Sequence, residues 1–253
     1  MSGLLAGKVA VITGGTEGIG LATAHRFAEE GATVFIMGRR NAELELAVRS
    51  VGERAVGVRG DVSIREDVER LYAAVAAHGR GLDVVFANAG TAPVATLDAV
   101  TDEHLDAVLA TNVRGTVYTV QTALPLLNAG ASIILNSSTT SERGRVGLGL
   151  YAASKAALRS LARTWANELA ERGVRVNAVV PGMTATPGIE VLAVAAAPEV
   201  GIDGFRANAV TAIPLRRFAD PRETANAVVF LASDLSSYTT GAALHVDGGM
   251  NQV

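Results

Sequence analysis

The fold of this chain is decided by residues 8–20, KVAVITGGTEGIG. Residues 8–12 form a short apolar, β-branched run, which is typical of a buried parallel strand. A glycine-rich turn follows, and residues 21–30 then show the apolar spacing of a helix that ends at Gly31. Such a turn lets the backbone approach a pyrophosphate, and the free N–H groups of the helix N-terminus can bind it. A tight turn without a ligand is the alternative, but the strand that follows favours dinucleotide binding.

That second strand covers residues 32–37 and ends at Gly38-Arg39-Arg40. At this distance past the glycines, an NAD site normally offers a carboxylate to the ribose 2′-hydroxyl, and an NADP site an arginine to the 2′-phosphate. Residues 37–40 contain no acid, so the turn predicts NADP(H) over NAD(H), bound through Arg39 with Arg40 beside it. Glu17 in the glycine turn would weaken this preference by repelling the phosphate.

Strands and helices alternate along the rest of the chain, which predicts one α/β domain over residues 1–253 with a doubly wound, Rossmann-like parallel sheet and helices on both faces. The further strands are predicted at Arg54–Arg59, Leu82–Ala87, Ala131–Ser138, Val174–Val180 and Ala242–Val246. Helices are predicted at Asn41–Val51, Ile64–His78, from the N-cap Thr101 to about Leu127, Leu150–Glu171 and Thr224–Ala232. Residues 187–213 are predicted to form a long irregular segment that acts as a lid over a substrate pocket.

A second set of polar residues points to proton transfer. Tyr151 and Lys155 stand at i and i+4, so both side chains leave the same face of their helix. An unperturbed tyrosine hydroxyl has a pKa of about 10, and a nearby ammonium favours the phenolate and lowers that pKa. Ser138 lies thirteen residues upstream of Tyr151 and could hold the substrate oxygen that exchanges a proton with it.

Composition limits the other classes of function. The formal net charge is −3 and no basic run exceeds two residues, which argues against a nucleic-acid or anionic-membrane surface. The chain has no cysteine, and its four histidines are scattered without a His-Glu-x-x-His pattern, so we expect no metal site. The sequence contains no Gly-x-Ser-x-Gly elbow, so it does not indicate a serine hydrolase. Without a signal-peptide pattern or an apolar run of about 18 residues, a cytoplasmic location is expected.

Together these motifs resemble the short-chain dehydrogenase/reductase family, from about residue 4 to residue 250. The motifs that carry the resemblance are residues 13–20, Asn88-Ala89-Gly90, Asn112, Ser138, Tyr151-x-x-x-Lys155 and Pro181-Gly182, in the family's order and spacing. The resemblance implies a sheet of seven parallel strands, NAD(H) or NADP(H) as cofactor, hydride transfer at a carbonyl or alcohol carbon, and a homotetramer. The helix from Leu150 to Glu171 is apolar on more than one face, which also fits a partner helix.

Residue roles carried over from the family are as follows. Tyr151 is the general acid for reduction and the base for oxidation, and Lys155 lowers its pKa and binds the nicotinamide ribose. Ser138 steadies the substrate oxygen, and Asn112 supports a water that links Lys155 to solvent. The implied cofactor contacts are Gly14, Thr16, Glu17, Gly18, Ile19, Gly20, Arg39, Arg40, Asp61, Val62, Asn88, Ala89, Gly90, Tyr151, Lys155, Pro181, Gly182, Thr184 and Thr186.

The expected function is hydride transfer between NADP(H) and a ketone or secondary alcohol. Within the same family, a sugar or polyol dehydrogenase and a 3-oxoacyl reductase are alternatives. A non-catalytic dinucleotide-sensing module is a third, although such a protein has no need of the full catalytic set. The lid segment carries few charges, which favours an apolar or weakly polar ketone.

Overall fold

The computed structural model describes residues 3–196 and 199–253, which contain a seven-stranded parallel sheet. The strands are β1 (Val9–Thr13), β2 (Thr33–Gly38), β3 (Ala55–Arg59), β4 (Leu82–Ala87), β5 (Leu127–Asn136), β6 (Arg175–Pro181) and β7 (Ala243–Val246). Their order across the sheet is β3-β2-β1-β4-β5-β6-β7. The order reverses between β1 and β4, which is where ligands bind in open sheets of this kind.

Nine α-helices connect the strands in the described part of the chain. They are α1 (Gly18–Glu29), α2 (Asn41–Val51), α3 (Arg65–His78), α4 (Asp102–Val108), α5 (Gly115–Ala123), α6 (Gly149–Glu168), α7 (Pro187–Ala196), α8 (Gly201–Thr211) and α9 (Pro221–Ala232). A π-helical segment, Leu109–Arg114, joins α4 to α5. Within residues 3–196 and 199–253, no helix is long and apolar enough to cross a bilayer.

The core consists of two layers, one on each face of the sheet. Side chains alternate along a strand, so Val9 and Val11 of β1 pack with α3, α5 and α6, whereas Ala10 and Ile12 pack with α1, α2 and α9. All four are buried. A strand that is apolar on both faces must be covered on both faces, which is why β1 reads as a continuous apolar run.

The carboxyl ends of the central strands align at one edge of the sheet. Thr13 of β1 is opposite Met37 of β2, and Ala87 of β4 is opposite Leu135 of β5. The glycine turn, the loop after β4 and the turn after β5 therefore start at the same edge. This register brings together the motifs that the sequence singles out.

The predicted α/β class and the doubly wound parallel sheet are confirmed, but two local predictions are wrong. Residues 187–213 are not irregular, because they contain α7 and α8. The segment is rich in alanine, a strong helix former, and its apolar side chains have a tertiary partner. Ile189, Phe205 and Ala209 pack against a small apolar cluster centred on Met183, Ile213 and Met250.

The second correction concerns both ends of β5, which begins at Leu127 rather than Ala131 because Leu127 already pairs with Leu82 of β4, ahead of a register shift. The strand ends at Asn136, not at Ser138, and Ser138 begins a short 3-10 turn. The Ser138 hydroxyl accepts a hydrogen bond from the backbone N–H of Thr140 (3.2 Å), which caps that turn. Ser137 still donates from its N–H to the Val179 carbonyl of β6 (2.9 Å), and the chain turns away from the sheet at Ser138, where the cap forms.

Candidate active site

The four predicted catalytic residues come from three different elements at the same sheet edge. Asn112 lies in the π-helical segment, Ser138 in the turn after β5, and Tyr151 and Lys155 in the first turns of α6. Lys155 Nζ lies 5.6 Å from the centre of the Tyr151 ring. Lys155 and Asn112 are buried, whereas Ser138 and Tyr151 remain partly accessible. The two residues expected to contact a substrate are therefore the two that solvent can reach.

Asn112 explains the irregular helix around it. Its side chain is fully buried: Oδ1 accepts from the Thr91 N–H (2.8 Å), and Nδ2 donates to the Thr91 carbonyl (2.9 Å) and to Ser154 Oγ (2.9 Å). An asparagine inside a regular helix is unfavourable. Here the chain forms a π-helical turn, a feature often found at functional sites. Asn112 thus ties the loop after β4 to helix α6.

The Lys155 ammonium is held by the end of β5. Nζ donates to the backbone carbonyl of Asn136 at 2.6 Å. Burial lowers the pKa of Lys155 from 10.5 to about 8, because the charged form is poorly solvated there. Lys155 is therefore poised to change its charge a little above neutral pH.

Tyr151 behaves differently from the expectation. Burial raises the pKa of the Tyr151 hydroxyl, and a hydrogen bond with Ser138 opposes that rise. The expected lowering by Lys155 is not the dominant effect, because the ammonium is directed to the Asn136 carbonyl. The raised pKa keeps the phenol protonated near neutral pH, which is the form that donates a proton.

A chain of hydrogen bonds connects this group to the glycine turn. Asn88, after β4, donates from Nδ2 to the carbonyls of Thr13 (3.0 Å) and Gly14 (2.9 Å). Its Oδ1 accepts from Asn136 Nδ2 at 2.8 Å. The Asn136 carbonyl is the acceptor for Lys155, so four hydrogen bonds link the turn after β1 to the ammonium. No motif in the sequence pointed to Asn136, although its position at a strand end could have.

A cavity of about 420 Å³ runs over the same sheet edge. It is lined by these predicted cofactor contacts: Gly14, Thr16, Glu17, Gly18, Ile19, Gly20, Arg39, Arg40, Asp61, Val62, Asn88, Ala89, Gly90 and Thr186. Five others that the sequence predicts do not line it, namely Tyr151, Lys155, Pro181, Gly182 and Thr184. The prediction missed Met37, Gly38, Gly60, Thr111, Pro187 and Gly188, most of which end or follow a strand or begin α7.

The shape of this cavity fits a dinucleotide. Gly14 has a φ of +63°, which side chains disfavour, and a Cβ on Gly20 would collide with the Gly14 carbonyl. Among the described residues, α1 has no side-chain cap and no acid in its first turn. Its first N–H groups are therefore available to an anion at the cavity wall.

The cavity also reaches the catalytic group. A Cβ placed on Gly90 would lie 3.3 Å from Lys155 Nζ and 3.4 Å from Asn112 Oδ1. The lining residue Gly90 is thus in close contact with both. A ligand that fills the cavity past Gly90 comes next to Lys155, which fits a cofactor whose reactive ring must meet the substrate beside Tyr151.

Both arginines after β2 line the cavity and face carboxylates. Arg40 Nη2 lies 2.7 Å from Glu17 Oε2, and its Nη1 lies 3.4 Å from Glu43 Oε1. Arg39 Nη1 is 3.6 Å from Asp61 Oδ2. The repulsive carboxylate expected at Glu17 is therefore bound by Arg40, which offsets part of its charge.

Comparison with known proteins identifies the family. Residues 14–251 match the family model described as "Enoyl-(Acyl carrier protein) reductase", and a solved structure titled "short chain dehydrogenase/reductase family protein" is 37% identical with a TM-score of 0.85 over the whole of both chains. The chain belongs to the short-chain dehydrogenase/reductase family. It is an oxidoreductase of the CH–OH/carbonyl class, and proteins of this family use NAD(P)(H).

Several relatives are similar over nearly the whole chain. Oxidoreductase asL5 of Sarocladium schorii is 44% identical over 98% of both chains. A 3-oxoacyl-[acyl-carrier-protein] reductase of Thermotoga maritima is 39% identical over 97% of this chain and 98% of its own. The crystal structure of levodione reductase superposes with a TM-score of 0.93 and 29% identity over 98% of both chains.

Proposed function

We propose that this protein is an NADP(H)-dependent reductase of ketones that also oxidises the corresponding secondary alcohols. The observation that carries the proposal is the pairing of two hydroxyl groups, on the half-buried residues Ser138 and Tyr151, with a buried ammonium on Lys155 beside the cavity at the sheet edge. A non-catalytic dinucleotide sensor has no use for that arrangement. The names of the relatives support carbonyl reduction, because two of them are reductases of keto compounds.

Each residue has a distinct role in the proposal. Bound NADP(H) would supply or accept the hydride at nicotinamide C4. Ser138 donates a hydrogen bond to the substrate carbonyl oxygen, and Tyr151 protonates that oxygen as the alkoxide forms. The raised pKa of Tyr151 suits this role, because the hydroxyl still holds its proton at neutral pH.

Lys155 and Asn112 act on the proton donor in this scheme. The Lys155 charge stabilises the phenolate that remains after proton transfer, and its ammonium can also bind the nicotinamide ribose. Asn112 holds Ser154 and the loop after β4 in place, and it would support a water that returns a proton from solvent to Lys155. The segment from Pro181 to Thr186, with Gly182 and Thr184, would line the nicotinamide side.

NADP(H) is the proposed cofactor because of the charges after β2. The Arg40–Glu17 and Arg39–Asp61 pairs involve exposed arginines and are therefore weak, so either guanidinium can turn to a 2′-phosphate at little cost. The planar guanidinium fork also matches a phosphate in two-point contact. No carboxylate at positions 37–40 is available to an NAD ribose.

A 3-oxoacyl thioester is the second candidate substrate, because the Thermotoga maritima relative is named for it. An acidic carrier protein would need basic residues to dock on, and the candidates for that surface are residues 121–131 and Arg172. Residues 121–131 contain none, and Arg172 donates to the Leu124 carbonyl at 2.7 Å. We therefore place a small-molecule ketone first and sugar or carrier-bound substrates second.

The decisive experiment is Tyr151→Phe, with Tyr238→Phe as the matched control because Tyr238 is fully exposed. The change keeps the ring and removes the hydroxyl, so NADPH binding, followed by the fluorescence of the nicotinamide, should be unchanged. General acid–base assistance is worth about 10²–10⁴-fold, so turnover of an activated ketone should fall by about that factor. Activity near that of the parent would show that Tyr151 is not the proton donor.

We also propose that the chain forms a homotetramer and that α7 and α8 form the substrate lid. On α6, Leu158 is buried in the core, whereas Leu161 and Trp165 pack against it and stay half-buried. A partner helix would complete their burial. The lid proposal rests on Thr186, Pro187 and Gly188, which lead into α7 and line the cavity.

A further inference from the structure

A second cleft, of about 450 Å³, lies between the loop that joins Ser138 to Tyr151 and one face of α8. Arg143 and Arg145 line it from the loop side. Opposite them are Phe205, Asn208 and Ala209 of α8 and Ala212, the residue that follows it. These four positions follow the i, i+3, i+4, i+7 spacing of a single helix face. One wall is therefore cationic and the other is largely apolar.

The two arginines carry charges that no carboxylate balances. Among residues 3–196 and 199–253, neither takes part in an ion pair. Arg143 Nη1 donates to the Met250 carbonyl (3.3 Å), and Arg145 Nη2 lies 3.4 Å from Met250 Sδ, so their polar contacts are with uncharged groups. These contacts place both guanidinium groups against Met250 but do not neutralise their charge.

The one acid in this loop is directed elsewhere. Glu142 Oε1 is bound by Arg159 (2.6 Å), and its Oε2 lies 3.1 Å from His245 Nε2. Its carboxylate is therefore occupied by partners other than its neighbours in sequence. Two cations and no free anion remain at the wall of the cleft.

Arg143 is exposed, whereas Arg145 is half-buried, so the unbalanced charge is costly at Arg145 unless an anion binds there. Burial, together with the charge of Arg143, lowers the pKa of Arg145, so both effects disfavour its charged form. A partly buried cation is normally paired. The opposite wall offers no carboxylate to the cleft, since the residues that line it are one phenylalanine, one asparagine and two alanines.

We infer that the substrate carries an anionic group, a carboxylate or a phosphate, which Arg143 and Arg145 bind while the carbonyl lies between Ser138 and Tyr151. The inference rests on the proposed function and narrows its substrate class. Arg143 is five residues after Ser138 and Arg145 six before Tyr151, so the two groups that bind the anion belong to the loop that carries the catalytic hydroxyls. The apolar wall from α8 then contacts the carbon skeleton. This differs from the neutral ketone that the composition of the lid favours.

The test compares ketones that differ only in charge. 3-Oxobutanoate, 4-oxopentanoate and 5-oxohexanoate place the carboxylate at increasing distance from the keto group, and their methyl esters are the neutral counterparts. Dihydroxyacetone phosphate and dihydroxyacetone form the phosphate pair. In the parent, kcat/KM with NADPH should favour one or more of the anions over the neutral partner by about 10- to 100-fold.

Substitutions assign that preference to the cleft. In Arg143→Gln/Arg145→Gln the ratio of anion to neutral ketone should fall towards one, while kcat/KM for the methyl esters stays near that of the parent. The variant Arg145→Lys, which keeps the positive charge, should retain a larger ratio of anion to neutral ketone than the double variant. Arg49→Gln on α2 is the control for net charge, because Arg49 is exposed and contacts Glu45 only at 3.7 Å. A parent ratio at or below one, or a ratio that the double variant does not change, overturns the inference.

A binding measurement separates this inference from the proposed function. Calorimetric titration of 4-oxopentanoate and dihydroxyacetone phosphate into Tyr151→Phe, saturated with NADP⁺, reports anion binding without turnover. If binding is lost when Arg143→Gln and Arg145→Gln are added, the result supports anion binding in the cleft. Absence of ketone reduction in the parent would then refute only the reductase proposal. Turnover of the esters without anion binding or anion preference would refute the cleft and leave the reductase proposal intact.

Discussion

Lys155 should make the stability of this protein depend on pH in a way that can be calculated. Burial lowers its pKa from 10.5 to about 8. At about 1.4 kcal/mol for each pKa unit, this lowering corresponds to about 3 kcal/mol. The hydrogen bond from Nζ to the Asn136 carbonyl recovers only part of the solvation that the ammonium loses.

The sign follows from where the proton is bound. Below pH 8 the lysine is charged in both the folded and the unfolded chain, so the penalty of burying the charge is present in full. Between pH 8 and 10.5 the unfolded chain still holds the proton but the folded protein has released it. Stability rises with pH wherever the unfolded state binds more protons. The contribution of Lys155 should therefore become less unfavourable across this window and level off above it.

The assay is urea unfolding of the parent and of Lys155→Met at intervals from pH 7 to 10. Methionine keeps the length of the side chain and removes the charge. The difference in unfolding free energy, parent minus variant, should rise by about 2–3 kcal/mol over this range. Burial also raises the pKa of Tyr72 and Tyr151, but that effect lowers stability only as the pH approaches their titration and is shared by both proteins to first order. A difference that stays flat from pH 7 to 10 would refute a buried, charge-changing lysine.

Three further predictions follow from the proposals. Arg39→Ala should reduce the ratio of kcat/KM for NADPH to that for NADH by about 10- to 100-fold, and Glu17→Gln should increase it; a parent that prefers NADH would mean that the turn is not a phosphate site. Substitutions at Ile189, Leu192 or Phe205 in the lid should change relative activity among ketones more than the KM for cofactor, and a uniform loss across all ketones would count against a lid. Light scattering should give the mass of a tetramer, whereas a mass near the 26.0 kDa of one chain would exclude any oligomer.

Much of the fold could be predicted because its signals are local. The residues of β4 and α2 agree with the predicted bounds, since a continuous apolar run and a periodic segment that stops before a glycine each specify an element by themselves. Helices α7 and α8 could not be recognised in this way. Their packing depends on Met183 and Ile213, which flank the segment, and on Met250, which is distant in sequence, so the sequence pattern did not show that the three form one cluster.

In the candidate site, too, local sequence predicts some features and tertiary packing determines the others. The identities of Ser138, Tyr151 and Lys155 follow from spacing and residue type, whereas their protonation does not. The sequence suggested that Lys155 would lower the pKa of Tyr151, but burial of both residues dominates in the structure. Burial is a property of the packed fold, and no spacing rule contains it. The ion pair between Glu17 and Arg40, 23 residues apart, was hidden for the same reason.

Asn136 shows how the cofactor cavity and the proton-transfer group depend on each other. Its side-chain amide donates to Asn88, which holds the glycine turn, and its backbone carbonyl accepts from Lys155. One residue therefore positions both the turn that lines the cofactor cavity and the carbonyl that accepts from the ammonium. Because the Lys155 ammonium donates to this carbonyl, the Tyr151 phenol keeps the raised pKa that suits a proton donor.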